Sequence, residues 1–85
     1  MKVQFSENGW EQFMFWLEQD KKTLKKINDL LKSIDRNGYN CIGKPEPLKG
    51  NLAGKWSVRI DAANRIVFQI AGDTLEIFSC AGHYG

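Results

Sequence analysis

The chain has 85 residues and a mass of 9.7 kDa, which fits a single domain spanning residues 1–85 and excludes a multidomain enzyme with its own cofactor-binding fold. Hydrophobic residues make up 42% and aromatic residues 12%, enough for a folded core, so the composition excludes an intrinsically disordered chain. The net charge of +2 hides a strong segregation, because 11 of the 12 basic residues but only four of the 10 acidic residues lie between Lys21 and Arg65. This basic block favours a polyanionic partner such as nucleic acid, although the solvated face of a helix explains it equally well.

No apolar run approaches the ~20 residues that span a membrane, and the N-terminus lacks the pattern of a signal peptide. These features predict a cytoplasmic protein without a membrane partner. The two cysteines, Cys41 and Cys80, are predicted to be free thiols. They form no recognisable ligand set with the single histidine, His83, so we expect neither a metal nor a cofactor.

In the N-terminal half, the spacing of the apolar residues predicts a strand followed by helices. Lys2–Phe5 predicts a short strand, and Ser6 or Asn8 can cap the helix that follows. In that helix an apolar stripe is predicted to be buried, formed by Trp10, Phe13, Met14 and Leu17. Trp16 lies off the stripe and either widens the buried face or contacts a partner, the former being favoured.

A second, basic amphipathic helix is predicted from Lys21 to a stop at Asn37-Gly38. Asp20 ends the first helix or caps the second, and the apolar repeat of the second comprises Leu24, Ile27, Leu31 and Ile34. The following stretch, 43–51, contains both prolines and is predicted to be irregular. Prolines on both sides of Glu46 place this carboxylate on a stiff loop.

Three strands are predicted in the C-terminal half, over 55–61, 65–71 and 75–80, with Gly72-Asp73 as the second turn. Pairing Ile60 with Ile66 would leave a three-residue loop, 62–64, and set Asp61 opposite Arg65. Arg59 and Arg65 would then share the face of the sheet that points away from the helices. The predicted fold class is α+β: an N-terminal strand, two antiparallel helices, then a three-stranded antiparallel sheet packed on them.

The residues able to carry out chemistry near this open face are Glu46, Lys49, Arg59, Arg65, His83 and Tyr84. Cleaving RNA without a metal needs a base for the ribose 2′-hydroxyl, an acid for the leaving oxygen and cations around the phosphorus. Carboxylate, imidazole and guanidinium suit these tasks, and a tyrosine ring can stack on an unpaired base. A lone histidine near a C-terminus is, however, more often an exposed bystander.

Several longer motifs carry a resemblance to a known family over the whole chain. They are Phe15-Trp16 in the first helix, Lys25-Lys26-Ile27-Asn28, Gly43-Lys44-Pro45-Glu46-Pro47-Leu48-Lys49, Asn51-Leu52-Ala53-Gly54, Trp56-Ser57-Val58-Arg59-Ile60, Asn64-Arg65-Ile66-Val67-Phe68 and His83-Tyr84. The chain resembles the YoeB/Txe-type toxins of type II toxin–antitoxin modules, which are ribosome-dependent mRNA interferases of the RelE/ParE superfamily.

The resemblance implies a RelE-like fold and an endoribonuclease that enters the ribosomal A site and cuts the exposed mRNA codon. It implies that Glu46 is the general base, His83 the general acid and Arg65 the stabiliser of the transition state. Tyr84 is implied to position the RNA, and Lys49 and Arg59 to contact phosphates. The implied partners are a YefM/Axe-like antitoxin, the ribosome with its mRNA, and a second copy of the chain.

The chain departs from the family pattern at Val58, at Ala81-Gly82 and at the additional Gly85, so we expect lower activity but not its absence. Two alternatives stay open. One is a ParE-like toxin that acts on DNA gyrase without nuclease chemistry, and the other is a non-catalytic RNA-binding module.

Overall fold

The computed structural model describes residues 1–82 and is an α+β fold. The elements in chain order are β1 (Lys2–Phe5), α1 (Glu7–Gln19), α2 (Lys21–Asn37), β2 (Glu46–Pro47), β3 (Trp56–Arg59), β4 (Arg65–Ala71) and β5 (Thr74–Ser79), with short 3-10 turns at Gly38–Asn40 and Gly50–Leu52. Within residues 1–82, no helix is both long and apolar enough to cross a membrane.

Strands β3, β4 and β5 form the predicted antiparallel arrangement, but the sheet also includes β1 and β2 and has five strands in the order β1-β5-β4-β3-β2. β1 joins β5 in parallel, and the two residues of β2 pair antiparallel with β3. Stretch 43–51 is therefore not wholly irregular. Pro47 is compatible with β2 because that strand lies at the edge of the sheet, where a missing N–H costs no ladder hydrogen bond.

Both helix starts follow from short polar side chains that accept backbone N–H bonds. Ser6 Oγ accepts from Gly9 N–H at 3.0 Å, and Asp20 accepts from Thr23 N–H at 3.1 Å. Asp20 is at once the C-cap of α1 and the N-cap of α2. Gly38, with φ +61°, ends α2 as predicted.

The rotation of α1 differs from the predicted one. Trp10 and Leu17, expected in the buried stripe, are 50% and 43% exposed, whereas Trp16 packs against the core and donates its indole N–H to the Cys80 carbonyl at 2.8 Å. The cause is Gly9, which is buried so closely against β5 that an added Cβ would lie 2.7 Å from the Ile77 carbonyl oxygen. The helix rests on the strand through its backbone at that point.

The core lies between the helices and one face of the sheet. Its fully buried side chains include Ile27, Leu30 and Ile34 from α2 and Val58, Ile66, Phe68, Leu75 and Ile77 from the strands. The alternation along β3 and β4 predicts that six apolar residues share this face. Val58, Ile60, Ile66 and Phe68 are buried there, and Trp56 and Ile70 are half-buried and pack against the core. The side chains at the intervening positions of these strands point to the opposite face of the sheet.

The β3–β4 register differs by two residues from the predicted one. Arg59 lies opposite Arg65 and Val58 opposite Ile66, so neither the Ile60–Ile66 pair nor the Asp61–Arg65 pair exists. The loop is instead made of residues 61–63, because the Asp61 carboxylate accepts hydrogen bonds from Ala63 N–H and Asn64 N–H, both at 2.8 Å. A shift of two residues keeps every side chain on its expected face.

Candidate functional site

The face of the sheet that points away from the helices, called the open face here, carries two neighbouring arginines, Arg59 and Arg65, which form the arginine row. Arg59 at the end of β3 is exposed and Arg65 at the start of β4 is half-buried, and the two are direct cross-strand partners. Side chains at such positions have Cβ atoms ~4.5–5.5 Å apart, and like charges there destabilise a sheet. Two arginines at directly opposite positions bring positive charge to this part of the face, which suits an anion such as a phosphate.

Glu46 lies on the same face, one row away from the arginine pair. It is the direct partner of Ser57 on β3, which precedes Arg59 by two residues, and it is exposed. Diagonal neighbours two positions apart are ~7–8 Å from each other, within reach of long side chains. The structure therefore brings together three of the predicted site residues, Glu46, Arg59 and Arg65.

The backbone before Glu46 is fixed against β3 by an unusual bend. The Arg59 N–H donates to the Gly43 carbonyl at 2.8 Å, and Lys44 takes a left-handed conformation with φ 55°, which few non-glycine residues adopt. Gly43 is needed there because a Cβ would approach the Leu30 side chain to 2.8 Å. This bend and the two flanking prolines fix the backbone of Glu46 beside β3.

A hydrogen-bonded turn fixes the root of the C-terminal tail beside Arg65. The Arg65 N–H donates to the Gly82 carbonyl at 3.1 Å, the Gly82 N–H donates to Asn64 Oδ1 at 2.8 Å, and the Asn64 amide donates to the Asp61 carboxylate at 3.1 Å. The hydrogen bonds that the Asp61 carboxylate accepts, first the one from Ala63 N–H and then those from Asn64, hold the pKa of Asp61 below its usual value, although partial burial raises it. The tail therefore leaves the described structure next to the arginine row.

Asp61 and Asn64 hold this turn together, which the sequence had not suggested. The signal was present in the order Asp61-Ala62-Ala63-Asn64, since an aspartate at the start of a tight loop commonly accepts the N–H groups two and three residues on.

Of the remaining predicted site residues, Lys49 lies away from this row. Lys49 is exposed and follows Leu48, whose N–H donates to the Lys55 carbonyl at 2.9 Å. Lys55 is four residues before Arg59 on the neighbouring strand, so the backbone at Lys49 lies ~13 Å or more along the sheet from the arginine row. His83 and Tyr84 lie outside the described residues.

Comparison with known proteins shows which family this chain resembles. A family model described as the YoeB-like toxin of bacterial type II toxin-antitoxin system matches residues 5–84. Toxin YoeB of Synechocystis sp. is 49% identical over 84 residues, which cover 99% of this chain and 98% of that protein. The structure of a YoeB/ParE toxin from Agrobacterium tumefaciens superposes with a TM-score of 0.95 at 41% identity, covering 99% of this chain and all of the other.

YoeB from Staphylococcus aureus is similar both as a dimer and in a YoeB–YefM complex, each with a TM-score of 0.92, at 46% and 45% identity, covering 99% of this chain and 98% of the other. Two helices on one face of a five-stranded sheet, with a charged row on the other, thus define a RelE-like toxin fold. The chain belongs to the YoeB-like family of toxins of bacterial type II toxin–antitoxin systems.

Proposed function

We propose that residues 1–85 act as one toxin domain, an endoribonuclease that cleaves mRNA in the ribosomal A site by attack of the ribose 2′-hydroxyl, without a metal. The observation that carries the proposal is the Arg59–Arg65 pair on the open face with Glu46 one row away. A scissile phosphate seated on the two guanidinium groups would offset the repulsion between them and would place the adjacent ribose towards the carboxylate.

In the proposed reaction Glu46 takes the proton from the 2′-hydroxyl as the 2′-oxygen attacks the phosphorus. Arg65 stabilises the charge that develops on the phosphoryl oxygens, and Arg59 holds the phosphate. The P–O5′ bond breaks, His83 protonates the departing oxygen, and the upstream fragment ends in a 2′,3′-cyclic phosphate that can open to a 3′-phosphate. Tyr84 stacks on an RNA base, and Lys49 contacts the backbone outside the reacting linkage.

Cleavage on programmed ribosomes tests these roles. Purified protein is incubated with ribosomes that carry a defined mRNA codon in an empty A site, and the mRNA ends are mapped. Glu46→Gln, Arg65→Ala and His83→Gln are each expected to lower the single-turnover rate by at least ~100-fold, the range for removing a general base or an electrostatic stabiliser. Unchanged cleavage by all three variants would contradict the proposal.

Two control variants make the same chemical changes at other places. Glu76→Gln removes a carboxylate on β5 two rows from the arginine pair, and Arg36→Ala removes an exposed guanidinium in the last turn of α2. Both are expected to keep cleavage within about threefold of the unsubstituted protein, since neither side chain lies at the reacting phosphate.

We further propose that a YefM-like antitoxin binds this chain, as YefM binds the Staphylococcus aureus YoeB. Acidic side chains of such a partner would complement the basic block between Lys21 and Arg65. The exposed apolar side chains of α1, Trp10, Phe15 and Leu17, support self-association, in line with the dimer of the same relative. The proposed substrate, mRNA on ribosomes, places the activity in the cytoplasm.

A further inference from the structure

Ser57 is the one polar residue of the described chain that is fully buried, and its hydroxyl has no hydrogen-bond partner there. A buried hydroxyl without a partner is unfavourable, because it has lost its hydrogen bonds to water and gained none in the protein. Native structures contain few such groups. An alanine at this position would fill nearly the same space without that penalty, so packing alone gives no reason for a serine.

The position of Ser57 in the sheet indicates what the hydroxyl can reach. On the open face Ser57 lies between Glu46 of β2 and Val67 of β4, its direct partners on either side. Among the described residues, the charged ones at neighbouring positions on this face are Glu46, Arg59, Arg65 and Lys55, and the Lys55 ammonium lies over the Phe78 ring at 4.4 Å from its centroid. Of these, only the Glu46 carboxylate can accept a hydrogen bond from a hydroxyl.

We infer that Ser57 is a positioning residue, whose hydroxyl donates a hydrogen bond to the Glu46 carboxylate when RNA covers the open face. The inference rests on the proposed function. In the free protein Glu46 is exposed, and water can satisfy both of its carboxylate oxygens. RNA on this face excludes that water, so the carboxylate needs a replacement donor, and Ser57 supplies one from the floor of the site.

The geometry of a direct cross-strand pair allows this bond. Cβ atoms at such positions are ~4.5–5.5 Å apart, so one rotation of the flexible glutamate side chain brings a carboxylate oxygen to the serine hydroxyl. A donor held on one carboxylate oxygen leaves the other free to take the 2′-hydroxyl proton. It also fixes the direction from which that oxygen approaches the ribose.

Ser57→Ala tests the inference because it should lower the cleavage rate without lowering the stability of the protein. On programmed ribosomes we expect a roughly tenfold lower single-turnover rate at saturating ribosome concentration, because the Glu46 carboxylate is then no longer oriented towards the 2′-hydroxyl. The acidic limb of the pH–rate profile is expected to move to higher pH, since a donor to the carboxylate favours its charged form. The melting temperature is expected to stay the same or rise.

Ser33→Ala is the matched control, because the Ser33 hydroxyl on α2 does have a partner and accepts from the Ile42 N–H at 3.0 Å. It should lower the melting temperature and leave the cleavage rate and pH profile unchanged. A Ser57→Ala protein that cleaves at the full rate with an unshifted profile overturns the inference, and so does one with a lowered melting temperature, which would reveal a structural bond. Absence of cleavage by the unsubstituted protein would instead refute the proposed function itself.

Discussion

The hydrogen bonds at the root of the tail predict that Asn64 affects the cleavage rate although it is not one of the proposed catalytic residues. Asn64→Ala removes the acceptor for Gly82 N–H and the donor to Asp61, but leaves the backbone bond from Arg65 N–H to the Gly82 carbonyl in place. Among the described residues, Gly82 at the root of the tail would then keep one of its two hydrogen bonds. We expect a slower reaction because the proposed acid would spend less time at the leaving oxygen.

The size of the effect follows from the bonds that are lost. A neutral hydrogen bond contributes a net ~0.5–1.5 kcal/mol, so loss of the bond to Gly82 weakens tail docking by about 1 kcal/mol, or roughly fivefold. Losing the donor to the partly exposed Asp61 adds a similar cost to the turn. For a chain of this size, a total of ~1–2 kcal/mol lowers the melting temperature by roughly 4–15 °C.

The assay is the single-turnover rate on programmed ribosomes, measured well below the melting temperature. Asp61→Ala distinguishes the effect of a weakened turn from the effect of a weakened tail attachment. It removes the acceptor of Ala63 N–H and Asn64 N–H but keeps the Asn64–Gly82 bond. It should destabilise the protein at least as much as Asn64→Ala and slow cleavage less. If both variants slow cleavage in proportion to their loss of stability, the tail-docking explanation is wrong.

A double-variant cycle gives a second check. In a His83→Gln protein the proposed acid is already absent, so adding Asn64→Ala should have little further effect on the rate. A full additional fivefold loss in that background would show that Asn64 acts on something other than the tail.

Three further predictions concern a thiol, a close contact and the two peripheral cations. Burial raises the pKa of the Cys80 thiol from 9.0 to about 11, so the folded protein keeps this proton to higher pH than the unfolded chain does. The raised pKa contributes stability that is fully present below pH 9 and decreases by ~2–3 kcal/mol as the pH rises to 11. Urea unfolding measures the free energy of unfolding of the protein and of Cys80→Ala over this pH range. Parallel pH dependences for the two proteins would contradict the prediction. Gly9→Ala places a Cβ 2.7 Å from the Ile77 carbonyl oxygen. Its overpacking cost of ~1–3 kcal/mol should outweigh the ~1 kcal/mol gained in helix propensity, so thermal unfolding should occur at a lower temperature. Arg59→Ala is expected to slow cleavage about tenfold more than Lys49→Ala, since Arg59 lies opposite Arg65 and Lys49 is ~13 Å or more along the sheet; equal losses would argue against this placement of the phosphate.

The parts of the fold that the sequence predicted correctly depend on local patterns. β4 was predicted with its observed bounds, Arg65–Ala71, because apolar residues alternate along it and Gly72-Asp73 forms the turn. α2 was predicted because its apolar repeat, its Asp20 cap and its Gly38 stop agree with one another. Local propensity and the pattern of burial pointed to the same answer in both elements.

The errors come from contacts between distant parts of the chain. The parallel pairing of β1 with β5 joins residues more than 70 positions apart, and nothing near Lys2–Phe5 specifies it. The rotation of α1 is set by the contact of Gly9 with the Ile77 carbonyl and not by the hydrophobic stripe. For the candidate site, the sequence placed Arg59 and Arg65 on one face of the sheet, but it put the loop one residue too far along and so did not predict that the two arginines pair directly.

The open face also gathers features that are unfavourable for a sheet or a loop taken alone. Two arginines lie directly opposite each other, Lys44 is held in a left-handed conformation, and the Ser57 hydroxyl is buried without a partner in the described chain. Each of these costs stability, and a fold selected for stability alone would replace them with alanine, glycine or an opposite charge. Elsewhere the helix caps at Ser6 and Asp20 follow local preferences. Local costs concentrated on one face are expected where the structure is organised around a bound anion that relieves them, which is why this face, rather than the larger basic surface of α2, is where the cut phosphate should bind.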